Sequence, residues 1–196
     1  MARYEASVSA DEASDELLMQ RIAAGDEAAF RSLSDRHLGR ILRLARKMLG
    51  SAAEAEDVGQ ETLLRIWIKA GRWRSDRSRL TTWICTIVYR LAIDRLRARH
   101  TVSLDLAMDA EDPAPSALET VARERDLHRL ARAMETLQPR QRAALALFYY
   151  EELSGPDAAA VMGISLRAFW SLLHRARQTI RQQMQASLTQ PHGTMP

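Results

Sequence analysis

Apolar residues recur along most of this chain at three- and four-residue spacing, the pattern of helices that bury one face. Residues 1–14 lack it and are polar and small, which predicts disorder. Asp15 then reads as the cap of a short helix through Ala24, stopped by Gly25. Asp26 caps the next, whose apolar positions Phe30, Leu33, Leu38, Ile41, Leu42 and Leu44 carry it to Gly50. Ser51 opens a third, Ala52 to Ala70, with Leu63, Leu64, Ile66, Trp67 and Ile68 apolar, and Gly71 ends it. An Arg/Ser/Asp run reads as a loop, and a fourth helix begins at Leu80. On its wheel Leu80, Ile84, Ile87, Val88 and Leu91 share one face, while Thr82, Thr86, Tyr89, Arg90, Ile93 and Arg97 share the other. Trp83 and Asp94 lie at the edge of that second face. The expectation is a helix with one buried side and one side presenting arginine, hydroxyl and aromatic groups.

The pattern lapses over 101–117, where Asp109-Ala110-Glu111-Asp112-Pro113-Ala114-Pro115-Ser116 reads as a flexible acidic linker. It resumes from Leu118 to Leu137, then from Arg140 to Tyr150 behind Pro139, which suits a first helical turn. Pro156 begins a short helix, Asp157 to Met162, and Gly163-Ile164-Ser165 leads into a long one from Leu166 to about Ala186. Short helix, glycine turn and capped longer helix make a helix-turn-helix pattern. On the last helix Leu166, Phe169, Leu173, Ala176 and Ile180 are expected to point inward, and Arg167, Ser171, His174, Arg175 and Gln178 outward. The reading is an all-α chain: a four-helix domain over 15–100, a linker over 101–124 with the next helix starting near 118, a helix-turn-helix domain over 125–187, and a loose tail over 188–196.

Charge sharpens this division. The net charge of +3 is small, but it is unevenly spread. Residues 1–13 carry one base and three acids, and 14–100 carry 17 bases and 11 acids. Residues 101–124 carry one base and six acids, and 125–196 carry nine bases and five acids. Two basic blocks joined by an acidic connector suggest two anion-binding modules on a tether. No apolar run is long enough to span a membrane and no signal-peptide core is present, so a cytoplasmic protein without membrane insertion is expected. The single cysteine, Cys85, excludes an intramolecular disulfide and reads as a small packing residue in the fourth helix.

Candidate chemistry concentrates between Arg72 and Arg99, where eight arginines stand against two acids with Trp73, Trp83 and Tyr89 among them. Guanidinium groups neutralise phosphates, and aromatic rings offer platforms to unstacked bases, a combination suited to single-stranded nucleic acid. A solvated arginine face with tryptophans anchoring a core is the plainer alternative. In the third helix Asp57, Glu61 and Arg65 fall on one face at four-residue spacing with Gln60 nearby. Acids near a helix start favour its dipole and Glu61 pairs well with Arg65, so this ridge is either structural or an acidic docking surface. No Ser/His/Asp or Cys/His set, phosphate loop, zinc-ligand spacing or dinucleotide signature can be found, so no catalytic residue, metal or cofactor is expected.

In order and content these pieces resemble the sigma-70 family of bacterial transcription initiation factors, in its short extracytoplasmic-function form, over about 15–99 and 125–185. The resemblance is carried by Gly25-Asp26-Glu27-Ala28-Ala29-Phe30, Glu56-Asp57-Val58-Gly59-Gln60-Glu61-Thr62, and Leu80-Thr81-Thr82-Trp83-Ile84 running to Ala92-Ile93-Asp94. Leu137-Gln138-Pro139-Arg140-Gln141-Arg142 and His174-Arg175-Ala176-Arg177 complete it. It implies that the first domain binds core RNA polymerase through Asp57, Gln60, Glu61 and Arg65. It implies that Trp73, Arg74, Arg77, Arg79, Trp83, Arg90, Asp94 and Arg97 handle the minus-ten promoter element, from which a base leaves the duplex. The second domain would read the minus-thirty-five element in the major groove with Arg167, Trp170, Ser171, His174, Arg175 and Arg177. An anti-sigma factor is a further implied partner, and the acidic linker would lie in a basic polymerase channel.

One departure stands out. Family members usually carry Gly-Thr-Val-Lys-Ser-Arg-Leu where this chain has Arg167-Ala168-Phe169-Trp170-Ser171-Leu172-Leu173. Two cationic positions have become Trp170 and Leu172, which points to tighter packing, to an unusual promoter, or to an apolar patch for another protein. Two other readings compete with the whole: a stand-alone helix-turn-helix regulator, which would bind duplex DNA without polymerase, and a helical protein-binding adaptor, which would not need its arginines.

Overall fold

The computed structural model describes residues 13–103 and 129–189. Most of the acidic linker, the expected helix start near 118 and both terminal tails lie outside the described residues. The described residues form helices and turns without a strand, the all-α architecture that the periodicity predicts. The chain divides into two compact units, with the division at Ala92 and Ile93, inside the fourth helix.

In the first unit, α1 spans Asp15–Ala23 and its cap is Ser14, whose hydroxyl accepts from the Leu17 N–H at 3.3 Å. Asp15, expected to cap, is instead the first helical residue. Its carboxylate faces α2 (Glu27–Leu49), accepting from Arg36 at 3.2 Å and lying 2.9 Å from His37 Nε2. Gly25 takes a φ of +88°, the left-handed geometry that lets the chain turn between the two helices. Asp26 caps α2 as expected, accepting from Ala28 and Ala29 N–H at 2.9 and 3.0 Å and from Arg21 at 2.8 Å. The Ala29 amide foremost, with Arg21 beside it, holds the Asp26 carboxyl below its ordinary value of 3.8.

Ser51 caps α3 (Ala52–Lys69), which packs along α2. Gly59 is where they approach: a Cβ there would lie 2.8 Å from Leu42 Cδ2. Phe30 of α2 and Trp67 of α3 meet edge-to-face at 5.2 Å. Leu18, Met19, Leu33, Ile41, Leu44, Met48, Val58 and Ile66 fill the core. Gly71 does not end the helix abruptly, because the backbone tightens through a single 3-10 turn, Ala70–Arg72. Leu38, Leu64 and Ile68, read as buried stripe positions, are exposed.

α4 (Leu80–Ser103) departs most from expectation. Leu80, Ile84, Ile87, Val88 and Leu91 are buried, but so are Thr82, Tyr89 and Ile93 from the face assigned to solvent. A helix enclosed on more than one side has no single apolar stripe, and polar atoms on threonine and tyrosine do not reveal that their carbon frames are packed. Among its described side chains only Arg90, Asp94, Arg97, Ala98 and Arg99 are exposed. Cys85 is buried, as a packing residue should be.

The described part of the second unit begins with α5, residues 129–135. α6 starts at Pro139, where the Gln141 side chain accepts from the Gln138 N–H at 3.1 Å, and runs to Leu145 before widening into a π turn, Ala146–Tyr150. Arg142 turns back from α6 and donates to the carbonyls of Met134, Glu135 and Leu137 at 3.1, 2.9 and 3.4 Å. The last carbonyls of a helix lack i+4 partners, and here the guanidinium caps the end of α5, sharing the Met134 carbonyl with the Leu137 N–H at 3.3 Å. Burial lowers its pKa from the ordinary value, against the pull of Glu135. Ser154 caps α7 (Gly155–Met162), Gly163 turns the chain at φ +64°, and Ser165 caps α8 (Leu166–Thr189) at 3.2 Å. Phe169, Leu173 and Ala176 are fully buried as expected. Leu166 is not: it sits on the first turn beyond the reach of the core and is exposed, and Ile180 is half-buried.

Candidate nucleic-acid interface

α3 carries an exposed face that begins acidic and ends apolar. Asp57 and Gln60 are exposed, and Glu61 is half-buried because it accepts from Arg65 Nε at 3.0 Å. That pair spends part of the negative charge of this face locally. Leu64 and Ile68 continue the same face by one and two turns, exposed by 51% and 67%. The two large apolar side chains thus stand open on the side of α3 away from the core. The sequence pattern placed them in the buried stripe; four-residue steps from the exposed Gln60 reach both.

The loop between α3 and α4 presents the cationic cluster. The Arg77 N–H donates to the Arg74 carbonyl at 3.1 Å, and the Trp73 N–H to Ala70 at 3.1 Å, so a hydrogen-bonded turn fixes the backbone. Arg72, Arg74, Arg77 and Arg79 are exposed around it. Trp73 and Trp83 are each half-buried, anchored yet reachable, and the Trp73 indole N–H is enclosed with no acceptor among the described residues. On α4, Arg90, Asp94 and Arg97 are exposed, with Arg97 and Asp94 at 4.0 Å, too loose and too solvated to neutralise one another. Tyr89 does not join them, because it is buried. Within the first unit the exposed Arg72, Arg74, Arg77, Arg79 and Arg90 and the part-covered indoles of Trp73 and Trp83 thus fall on adjoining segments. Among the described residues no group of three His, Cys, Asp or Glu could hold a metal ion.

On α8 the predicted residues Arg167, Trp170, Ser171, His174, Arg175 and Arg177 are all exposed. They do not form one uniform face. Arg167, Ser171, His174 and Arg175 lie opposite the buried Phe169, Leu173 and Ala176. Arg177 lies on the flank, its guanidinium 5.9 Å over the Phe148 ring and 5.3 Å over the Tyr149 ring. Trp170 shares that flank, edge-to-face with Phe148 at 5.4 Å and with Phe169 at 5.5 Å. Tyr149 and Tyr150, exposed in the π turn that follows α6, and Gly155 beneath Trp170 belong to the same neighbourhood and were not singled out from the sequence.

Comparison with known proteins bears on each unit. Residues 33–101 match the family model for Sigma-70 region 2, and residues 127–180 match that for Sigma-70 region 4. The chain is 31% identical over 164 residues to the ECF RNA polymerase sigma factor SigL of Mycobacterium tuberculosis, covering 83% of this chain and 93% of SigL. It is 31% identical over 169 residues to SigE of Mycolicibacterium smegmatis, covering 81% of this chain but only 64% of that longer protein. It is 25% identical to SigW of Bacillus subtilis, covering 85% and 94%. Among solved structures, its fold is similar to CnrH in complex with the cytosolic domain of CnrY, at a TM-score of 0.65 and 24% identity over 88% of this chain and 97% of that one. It is similar too to the sigma factor RpoE bound to the anti-sigma factor NepR from Bartonella quintana, at 0.64 and 24% over 76% and 91%. Two helical units in this order, the region 2 and region 4 matches, and near full-length similarity to SigL lead to one conclusion: the chain belongs to the extracytoplasmic-function RNA polymerase sigma factors of the sigma-70 family.

Proposed function

We propose that this protein is an alternative sigma factor that joins core RNA polymerase, brings it to a set of promoters and opens them, and is held inactive by an anti-sigma factor until needed. The domain reading follows: residues 15–100 act as sigma domain 2, 125–187 as sigma domain 4, and the acidic 101–124 as the connector between them. It works in the bacterial cytoplasm as a specificity subunit, not a catalyst.

The α3 face docks on polymerase, with Asp57, Gln60 and Glu61 meeting cationic groups, Arg65 orienting Glu61, and Leu64 and Ile68 giving the contact its apolar centre. The loop and α4 handle the minus-ten element. Extruding a base costs a few kcal/mol. Stacking on an aromatic ring returns roughly 1–3 kcal/mol per base, so Trp73 and Trp83 together can offset that cost. Arg74, Arg77, Arg79, Arg90 and Arg97 neutralise the strand that the base belongs to, and Asp94 supplies an acceptor for a base amine. Promoter opening therefore needs no nucleotide hydrolysis by this subunit. In the second unit Arg167, Ser171, His174 and Arg175 meet phosphates and base edges of the minus-thirty-five element, with Trp170 and Arg177 beside them.

The observation that carries this reading is the ordered turn of exposed arginines around two half-buried tryptophans, set on the unit that matches Sigma-70 region 2. Run-off transcription with core polymerase on genomic fragments tests it. Defined start sites are expected only when both core enzyme and this chain are present. Start sites no different from those of core enzyme alone, on every fragment, sink the reading.

A further inference from the structure

Trp170 is the fifth residue of α8, and it occupies a place where a cation would ordinarily meet a phosphate. Rather than swinging free, its six-membered ring is seated on Gly155, the first residue of α7. A Cβ added at Gly155 would lie 2.5 Å from Cζ2 and 3.1 Å from Cη2, so any larger residue would unseat the ring. Phe148 and Phe169 hold it from two further directions at 5.4 and 5.5 Å. Even so, 42% of Trp170 remains exposed, and Leu166, one turn earlier, is exposed by 41%. Two apolar side chains at i and i+4 thus open on the N-terminal turns of α8, next to the polar Arg167 and His174.

The N-terminal residues of the second helix of a helix-turn-helix are the ones that reach base edges. An indole has one donor and no acceptor, so it cannot make the paired hydrogen bonds that single out guanine or adenine. The apolar group that bases present in the major groove is the 5-methyl of thymine. A ring fixed before binding loses little conformational freedom on contact, which favours such a small apolar contact. We propose that Trp170, held in place by Gly155, is a specificity-determining residue of α8 and selects thymine through its methyl group. This rests on the second unit reading the minus-thirty-five element.

The test is selection by reconstituted holoenzyme from promoter duplexes randomised across the minus-thirty-five hexamer. The natural chain should enrich thymine at one or two positions, and Trp170→Ala should lose that enrichment while keeping preferences at the remaining positions. Replacing the selected thymine by deoxyuridine, which removes only the methyl, should weaken binding of the natural holoenzyme about fourfold, the worth of one buried methyl. It should leave the Trp170→Ala holoenzyme unaffected, and Gly155→Ala should behave like Trp170→Ala. Enriched positions without thymine, or thymine enrichment that survives both Trp170→Ala and deoxyuridine, overturns the assignment of Trp170 alone. A pool with no enriched position under either chain overturns the minus-thirty-five reading as well.

Discussion

α4 and α8 are both 24 residues long and both carry arginines toward solvent, yet they are built in opposite ways. α8 is one-sided: Phe169, Leu173 and Ala176 are buried, and a polar face lies opposite them. α4 is buried around much of its circumference between Leu80 and Ile93, where Arg90 alone is exposed, and its other exposed arginines lie beyond that stretch and in the loop before it. The difference fits two tasks. A helix laid in an intact groove needs one long free face, whereas gripping a strand pulled from its partner needs rigid support under a small cluster of charge and aromatic surface. In the first unit the chemistry is therefore guanidinium on an enclosed scaffold; in the second it is a short polar face with an aromatic flank.

The largest effect is expected where that comparison puts the most charge. Replacing Arg74, Arg77 and Arg90 together by Ala should lower run-off transcription by about 100-fold at physiological salt, as three phosphate contacts imply. The thermal midpoint should stay within about 2 °C, since all three are exposed. Transcription at the natural level would break the assignment of charge to the first unit. Next comes the α3 face: Asp57→Lys with Glu61→Lys should weaken binding to core polymerase by about 30-fold, measured by co-purification and titration, with unchanged helicity. Undiminished co-purification would leave Asp57 and Glu61 a purely structural role.

Arg142 separates structural from functional cations in the second unit. It belongs to the Leu137-to-Arg142 run that the family resemblance rests on, yet its guanidinium is occupied by three carbonyls. Arg142→Ala should destabilise that unit by about 2 kcal/mol, the worth of hydrogen bonds from a charged donor, seen in denaturant unfolding. Loss of DNA binding at full stability would instead make it a contact residue. The smallest effect belongs to Asp26. Its carboxyl is held below the ordinary value, so the stability it adds is present above that value and is lost as pH falls through the lowered one. Asp26→Asn should flatten the acid side of the stability profile without altering transcription, and an unchanged acid limb would count against the cap as its source.

The order and hand-over points of the helices were legible because local chemistry sets them. Asp26, Ser51, Gly50 and Gly163 act on backbone groups a few residues away, and each does so as its type predicts. The one misplaced cap, Asp15 in place of Ser14, came from two adjacent residues that can both accept amide hydrogen bonds, with a neighbour on α2 deciding between them. Periodicity sorted α8 well, where one side meets protein and the other solvent. It failed for Thr82, Tyr89 and Ile93, because how many sides of α4 are covered depends on residues distant in sequence.

By itself, then, the sequence determined a helical pattern in two basic blocks, the residue types suited to nucleic acid, and the family they resemble. Tertiary structure alone decided which apolar residues stay outside, as with Leu64, Ile68 and Leu166, and which polar ones go in, as with Tyr89. It alone placed Gly155 under Trp170 and turned Arg142 onto the end of α5. Hydrogen bonds within a turn depend on neighbours along the chain, but exposure and side-chain seating depend on what folding brings alongside, and no window of sequence contains both partners.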